Sequence, residues 1–187
     1  MAKTISIDLS LKGIQDLKQY LLDYADSLKN KLDRFVYELA NEGIPVIESN
    51  MAEASYTYDE KGIQSGSDTA HQTYVKLNSF GDYAKATLIV EGAEVLFIEF
   101  GAGVALNKDE ENGIGVGASP HPLGPQYGFL LGSYGQGHGA QNVWGYYADS
   151  GELVLTRGTK ATMPVYKASL EIRNSVVEIA KRVFGGS

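Results

Sequence analysis

Cysteine is absent from the chain, so neither a disulfide framework nor a thiolate metal site is available. No apolar run reaches the roughly 18 residues that suggest a membrane span. The opening MAKTISIDLS has no apolar signal-peptide core, which predicts a protein made and used in a cytosol or in a particle assembled there. Lysine is missing between Lys108 and Lys160. This weakens the two stretches that look most like phosphate cradles, GIGVGAS (113–119) and GQGHGA (135–140). A phosphate loop follows a strand, enters a helix and usually carries a Lys-Ser/Thr pair, and neither stretch does so. The net charge of −7 also disfavours specific nucleic-acid binding. Histidine is scarce, with only His71, His121 and His138. His121 and His138 share a region with Asp109, Glu110 and Glu111, but no pair has the spacing of a helical or hairpin metal site. The expectation is no metal and no cofactor.

What is present suits one soluble domain over 1–187, with 43% hydrophobic and 21% charged residues. Ile5, Ile7 and Leu9 alternate with polar neighbours and predict a strand over 3–9. From about Gly13, Leu17, Leu21, Leu28, Leu32, Phe35 and Leu39 recur at three- and four-residue intervals, predicting an amphipathic helix of about eight turns. Such a stripe suits a helix laid across a sheet, or a coiled coil. Gly43 and Pro45 predict an end or a kink, with a helical piece continuing to about Ala54. Residues 55–70 read as a polar, mobile connection. HQTYVKLNS and YAKATLIVEG then form a hairpin around Gly81-Asp82, with Ala84, Ala86, Leu88 and Val90 on one face. AEVLFIEFG (93–101) follows as a short helix or turn. A second hairpin spans NVWGYYADSGELVLTRGT, and Pro164 opens a closing amphipathic helix that Gly185-Gly186 stop. The fold class is α+β: an antiparallel or mixed sheet, with the long N-terminal helix and the C-terminal helix packed on one face.

Between the hairpins, residues 101–142 form a long glycine-rich loop arm. Positions 101–139 hold eleven of the 22 glycines and three of the five prolines. Glycine and proline argue against regular structure there, while Leu123, Tyr127, Phe129, Leu130, Leu131 and Tyr134 gain by leaving water. The reading is a binding arm, separable from the fold. Charge is also segregated. Residues 91–118 carry six acids and one base, and residues 157–187 carry six bases and two acids.

Two stretches carry a family resemblance: Val95-Leu96-Phe97-Ile98-Glu99-Phe100-Gly101, and Ala161-Thr162-Met163-Pro164-Val165-Tyr166-Lys167-Ala168. With the element order, they resemble the tail-completion, or head–tail joining, proteins of long-tailed bacteriophages. The resemblance implies a structural virion protein of the neck, not an enzyme, and no cofactor. It would be assembled in the host cytoplasm as a homo-oligomeric ring of six between the head connector or adaptor and the tail tube or tail terminator. The interface residues expected on this reading are Glu99, Phe100, Asp109, Glu110, Glu111, Leu123, Tyr127, Phe129, Leu130, Tyr134, Trp144, Tyr146, Lys160, Lys167 and Arg173. The acidic triplet 109–111 would meet Lys160, Lys167 or Arg173 of an adjacent copy. The rival reading is a small hydrolase-like enzyme with a glycine-rich lid over Glu94 and Glu99, one of which would act as an acid or base.

Overall fold

The computed structural model describes residues 8, 10–81, 83–107, 119–129 and 142–185. The expected strand over 3–9 lies outside the described residues apart from Asp8.

Helix α1 runs from Leu11 to Glu53, 43 residues and about 65 Å at 1.5 Å per residue. Ser10 caps it by accepting from the Gly13 N–H at 3.1 Å. The expected break at Gly43 and Pro45 does not occur: both lie inside one continuous helix. Gly43 serves close packing instead. A Cβ there would lie 2.5 Å from Leu88 Cδ2 and 3.1 Å from Ile172 Cδ1, so its bare backbone lets three elements meet.

Residues 55–70 are not the featureless connection expected. Strands β1 (Thr57–Tyr58) and β2 (Gln64–Ser65) pair antiparallel. The two longer strands, β3 (Gln72–Ser79) and β4 (Ala84–Glu91), form the expected hairpin, in register from Gln72↔Glu91 to Ser79↔Ala84. Helix α2 follows over Val95–Phe100. After the loop come β5 (Trp144–Tyr147) and β6 (Leu153–Thr156), an antiparallel pair, and then helix α3 (Pro164–Phe184). β6 also pairs parallel to β2 through Gln64↔Thr156. The second sheet is therefore mixed, in the order β1-β2-β6-β5, while β3-β4 stands as a separate two-stranded sheet. The class is α+β, as the periodicities predict.

The core forms where the second half of α1 meets β4, α2 and α3. Ile47, Met51, Ala54, Val95, Ile98 and Ala168 are buried together, with Leu88 and Val90 against them. Along α3, Ala168, Ile179 and Val183 are buried, whereas Val165 and Val176 are exposed. The first half of α1 differs. The β3-β4 turn reaches α1 near Asp33, where Ser79 Oγ donates to Asp33 Oδ2 at 2.7 Å. α3 ends where Phe184 meets Phe35, ring centroids 5.4 Å apart. Before that point Leu11, Ile14, Leu21, Leu22, Tyr24 and Leu28 are exposed, between 42% and 84%.

The end of α3 is also clasped to the middle of α1 by charge. Glu38 takes Arg34 Nε on one oxygen at 2.6 Å and Arg182 Nη2 on the other at 2.9 Å. Hydrogen bonds from Arg34 first, then Arg182, hold the Glu38 carboxyl below the ordinary carboxylate range. A depressed folded value means the stabilisation is present above about pH 4.5 and is lost as pH falls through the depressed value. Arg182→Ala should therefore flatten the acid-side fall in the urea midpoint below pH 4.5, by a small amount because the pair is solvent-screened. Parallel wild-type and variant curves down to pH 3 would contradict this.

Candidate functional site

The two stretches that carry the resemblance meet in space, and Glu99 joins them. Pro164 at the first helical position has no N–H to offer, so the free donors of the α3 N-terminus begin at Val165 and Tyr166. Glu99 accepts both: Val165 N–H on Oε2 at 2.7 Å and Tyr166 N–H on Oε1 at 2.9 Å. A carboxylate supplied from α2 thus caps α3, where the helix dipole favours negative charge. The helix has no cap of its own, because Met163 sits at φ 56°, ψ 50° with no side-chain bond to the helix. That left-handed conformation is unusual for a side chain of this size. The flanking turn is held by the Thr162 N–H on Ile98 O at 3.0 Å and by Thr162 Oγ1 donating to Asn50 O at 2.8 Å.

The third partner of Glu99 comes from the loop. His121 Nε2 lies 2.8 Å from Glu99 Oε1, and both side chains are buried, 3% and 7% exposed. His121 Nδ1 accepts the Leu123 N–H at 3.0 Å, which assigns the ring proton to Nε2 and makes His121 the donor to Glu99. Around this bond the rings close. Phe100 stacks on Phe129 with centroids 3.9 Å apart, and His121 lies 4.6 Å from Phe100 and 5.1 Å from Tyr166. Ser119 Oγ, also buried, donates to Phe100 O at 2.8 Å. Glu99, Phe100, Ser119 and His121 are buried, and both oxygens of Glu99 face donors of its own chain.

A buried amide ties down the other end of the loop. Asn107 Nδ2 donates to Gly103 O at 2.9 Å and Thr159 O at 2.8 Å, while its Oδ1 accepts the Ala161 N–H at 2.8 Å. Ala102 and Thr159 exchange backbone bonds as an antiparallel bridge. Gly158, at φ 87°, allows this approach: a Cβ there would lie 2.0 Å from Ala102 O.

These contacts correct the separable arm. Residues 101–107 and 119–129 are joined to the body through Asn107, Ser119 and His121, and residues 108–118 and 130–141 lie outside the described residues. Two expected interface residues, Glu99 and Phe100, are instead buried against their own chain. Phe129 is half-buried on Phe100, while Leu123 and Tyr127 remain exposed. Asp109, Glu110, Glu111, Leu130, Tyr134 and His138 lie outside the described residues. Lys160 Nζ lies 3.5 Å from Glu53 Oε1 and Lys167 Nζ donates to Asn50 Oδ1 at 2.6 Å, both on α1 of the same chain, and Arg173 is exposed. Among the described residues, no group of three or more His, Asp or Glu side chains is placed to hold a metal ion.

Glu94 has separate surroundings from Glu99. It lines a cleft of about 310 Å³ with Tyr56, Phe97, Trp144 and Tyr146. Its Oε2 accepts the Asp68 N–H at 2.9 Å, and the Tyr56 hydroxyl lies 3.4 Å from Oε1. Asn107, Ser119 and the partnership of His121 with Glu99 escape sequence reasoning, because polar residues in a glycine-rich stretch read as solvated. The prolines on either side of His121 are the local signal of an ordered turn there. Comparison with protein-family models, curated proteins and solved structures finds no match to this chain.

Proposed function

We propose that the protein is a structural assembly protein of the neck of a long-tailed bacteriophage, joining the head connector to the tail as a homo-oligomeric ring. One observation carries this reading: α1 extends about 20 Å past the body, whose β3-β4 turn reaches only to Ala25, exposing apolar side chains along residues 11–24. Ile14, Leu17, Leu21, Tyr24 and Leu28 follow the alternating three- and four-residue spacing of a helix–helix seam. An exposed apolar surface of this extent marks a protein contact. One flank of the stripe meeting the other flank on the next copy is the heterologous contact that a closing ring requires.

The coupling of the two resembling stretches through Glu99 also favours an architectural role. In the enzyme reading, Glu99 acts on a substrate; in this chain its oxygens hold α3 and His121. The expected result is a concentration-dependent oligomer in sedimentation velocity. Leu21→Glu, alone or with Ile14→Glu, should dissociate it to monomer with little change in thermal midpoint, since both side chains are exposed at 53% and 51%. A monomer at all concentrations, or an oligomer indifferent to both substitutions, would count against the stripe as the seam.

A further inference from the structure

The cleft beside Glu94, which includes the expected interface residues Trp144 and Tyr146, has a composition that the α1 seam does not use. Four aromatic side chains, Tyr56, Phe97, Trp144 and Tyr146, come to it from the segment after α1, from α2 and from β5. Trp144 and Tyr146 lie with ring centroids 5.9 Å apart and planes 44° to each other. Among the described residues lining the cleft, Glu94 is the sole charge. Its carboxylate has acceptor capacity beyond the Asp68 N–H and the long contact to Tyr56. The remaining polar lining, such as Ser67 and Thr159, is neutral.

Aromatic faces grouped around one carboxylate match a particular ligand chemistry. Ring quadrupoles present negative faces that attract a desolvated cation, tryptophan most strongly. The Tyr56 phenol registers the negative potential of the site. Burial first, and then the Glu94 charge, push it up to about 12, so it stays a neutral ring and hydroxyl at any physiological pH. A volume of about 310 Å³ is at the small end for ligand pockets, suited to a compact head group.

We propose that this cleft binds an alkylammonium group, seated on the Trp144, Tyr146, Phe97 and Tyr56 rings with Glu94 as its counter-ion. The source is either a basic side chain of an adjoining polypeptide or a free small amine. The cleft is lined by a single chain, so the proposal stands whether or not the assembly reading does.

Trp144 is the chain's only tryptophan, so its emission reports occupancy directly. The full chain is titrated at constant ionic strength with tetramethylammonium, with N-acetyl-lysine N-methylamide, and with the uncharged isostere 3,3-dimethylbutan-1-ol. The expected result is a saturable emission change with the cations and at least about tenfold weaker binding of the alcohol. Glu94→Gln should weaken the cations about tenfold while leaving the alcohol unchanged. Because Glu94 also holds the Asp68 N–H, Tyr146→Leu provides a second variant at a side chain that is 38% exposed, and it should weaken the cations severalfold with an unchanged thermal midpoint. Tighter binding of the lysine amide identifies a polypeptide side chain as the occupant, and tighter binding of tetramethylammonium identifies a free amine. No saturable change with either cation, or equal binding of the alcohol, overturns the proposal.

Discussion

Glu99→Ala is expected to lower the unfolding free energy by about 3–5 kcal/mol, the range for breaking a buried charged network from one side. The substitution leaves three donors facing an apolar side chain: the Val165 and Tyr166 N–H groups and His121 Nε2. His121 Nε2 is buried, and the two part-buried N–H groups lose their cap. For a chain of this length such a loss lowers the thermal midpoint by about 6–20 °C. Glu99→Gln should cost less, about 1–3 kcal/mol. The carboxamide oxygen can take the Oε1 position with its two donors, but the amide nitrogen then faces the Val165 N–H. Urea unfolding of the three proteins gives the order directly. The hydrolytic reading predicts the opposite sign, because a carboxylate held ready for chemistry usually costs stability and its removal is neutral or stabilising. A Glu99→Ala protein within 1 kcal/mol of wild type would remove the junction from this account.

The second large effect is expected at Asn107. Asn107→Ala leaves Gly103 O, Thr159 O and the Ala161 N–H without their buried partner, a loss of about 2–4 kcal/mol. Asn107→Asp should be worse than alanine. Its Oδ1 can still accept from Ala161, but the second oxygen would carry charge against two carbonyls in a buried site. Trp144 lies beside Gly103, so its emission should change with the loss of order in this bridge. Replacing residues 105–140 with a short Gly/Ser linker removes Asn107, Ser119 and His121 together. The outcome should be a broadened, strongly lowered transition, in contrast to the intact transition expected of a separable arm. An excised chain that unfolds at the wild-type midpoint would show that these buried bonds contribute nothing.

The fold was legible where burial repeats with the period of an element. The stripe Leu32, Phe35, Leu39 and the alternation Ala84, Ala86, Leu88, Val90 each place one face against a neighbour, and α1, β4 and the hairpin follow. β1 and β2 were not legible, since two residues carry no period and β2 meets β6 at a single position distant in sequence, Gln64↔Thr156. Pro45 and Gly43 read as breakers by local propensity, and tertiary packing overrode it: Gly43 is where Leu88, Ile172 and Ala168 press closest to α1. The junction was half legible. The two stretches around Glu99 and Pro164 stood out in the sequence, but their meeting depends on contacts 66 and 67 residues apart. His121 and Asn107 gave no pattern, because their burial follows from the backbone groups they satisfy and not from hydrophobicity.

The central claim, a neck ring, is tested most directly by an electron cryomicroscopy reconstruction of the neck of an assembled long-tailed particle that carries this chain. The account predicts a closed ring of copies between connector and tail tube, the α1 helices of neighbours packed along Ile14, Leu17, Leu21 and Leu28. Neck density that does not accommodate the fold, or particles complete without the chain, would contradict it.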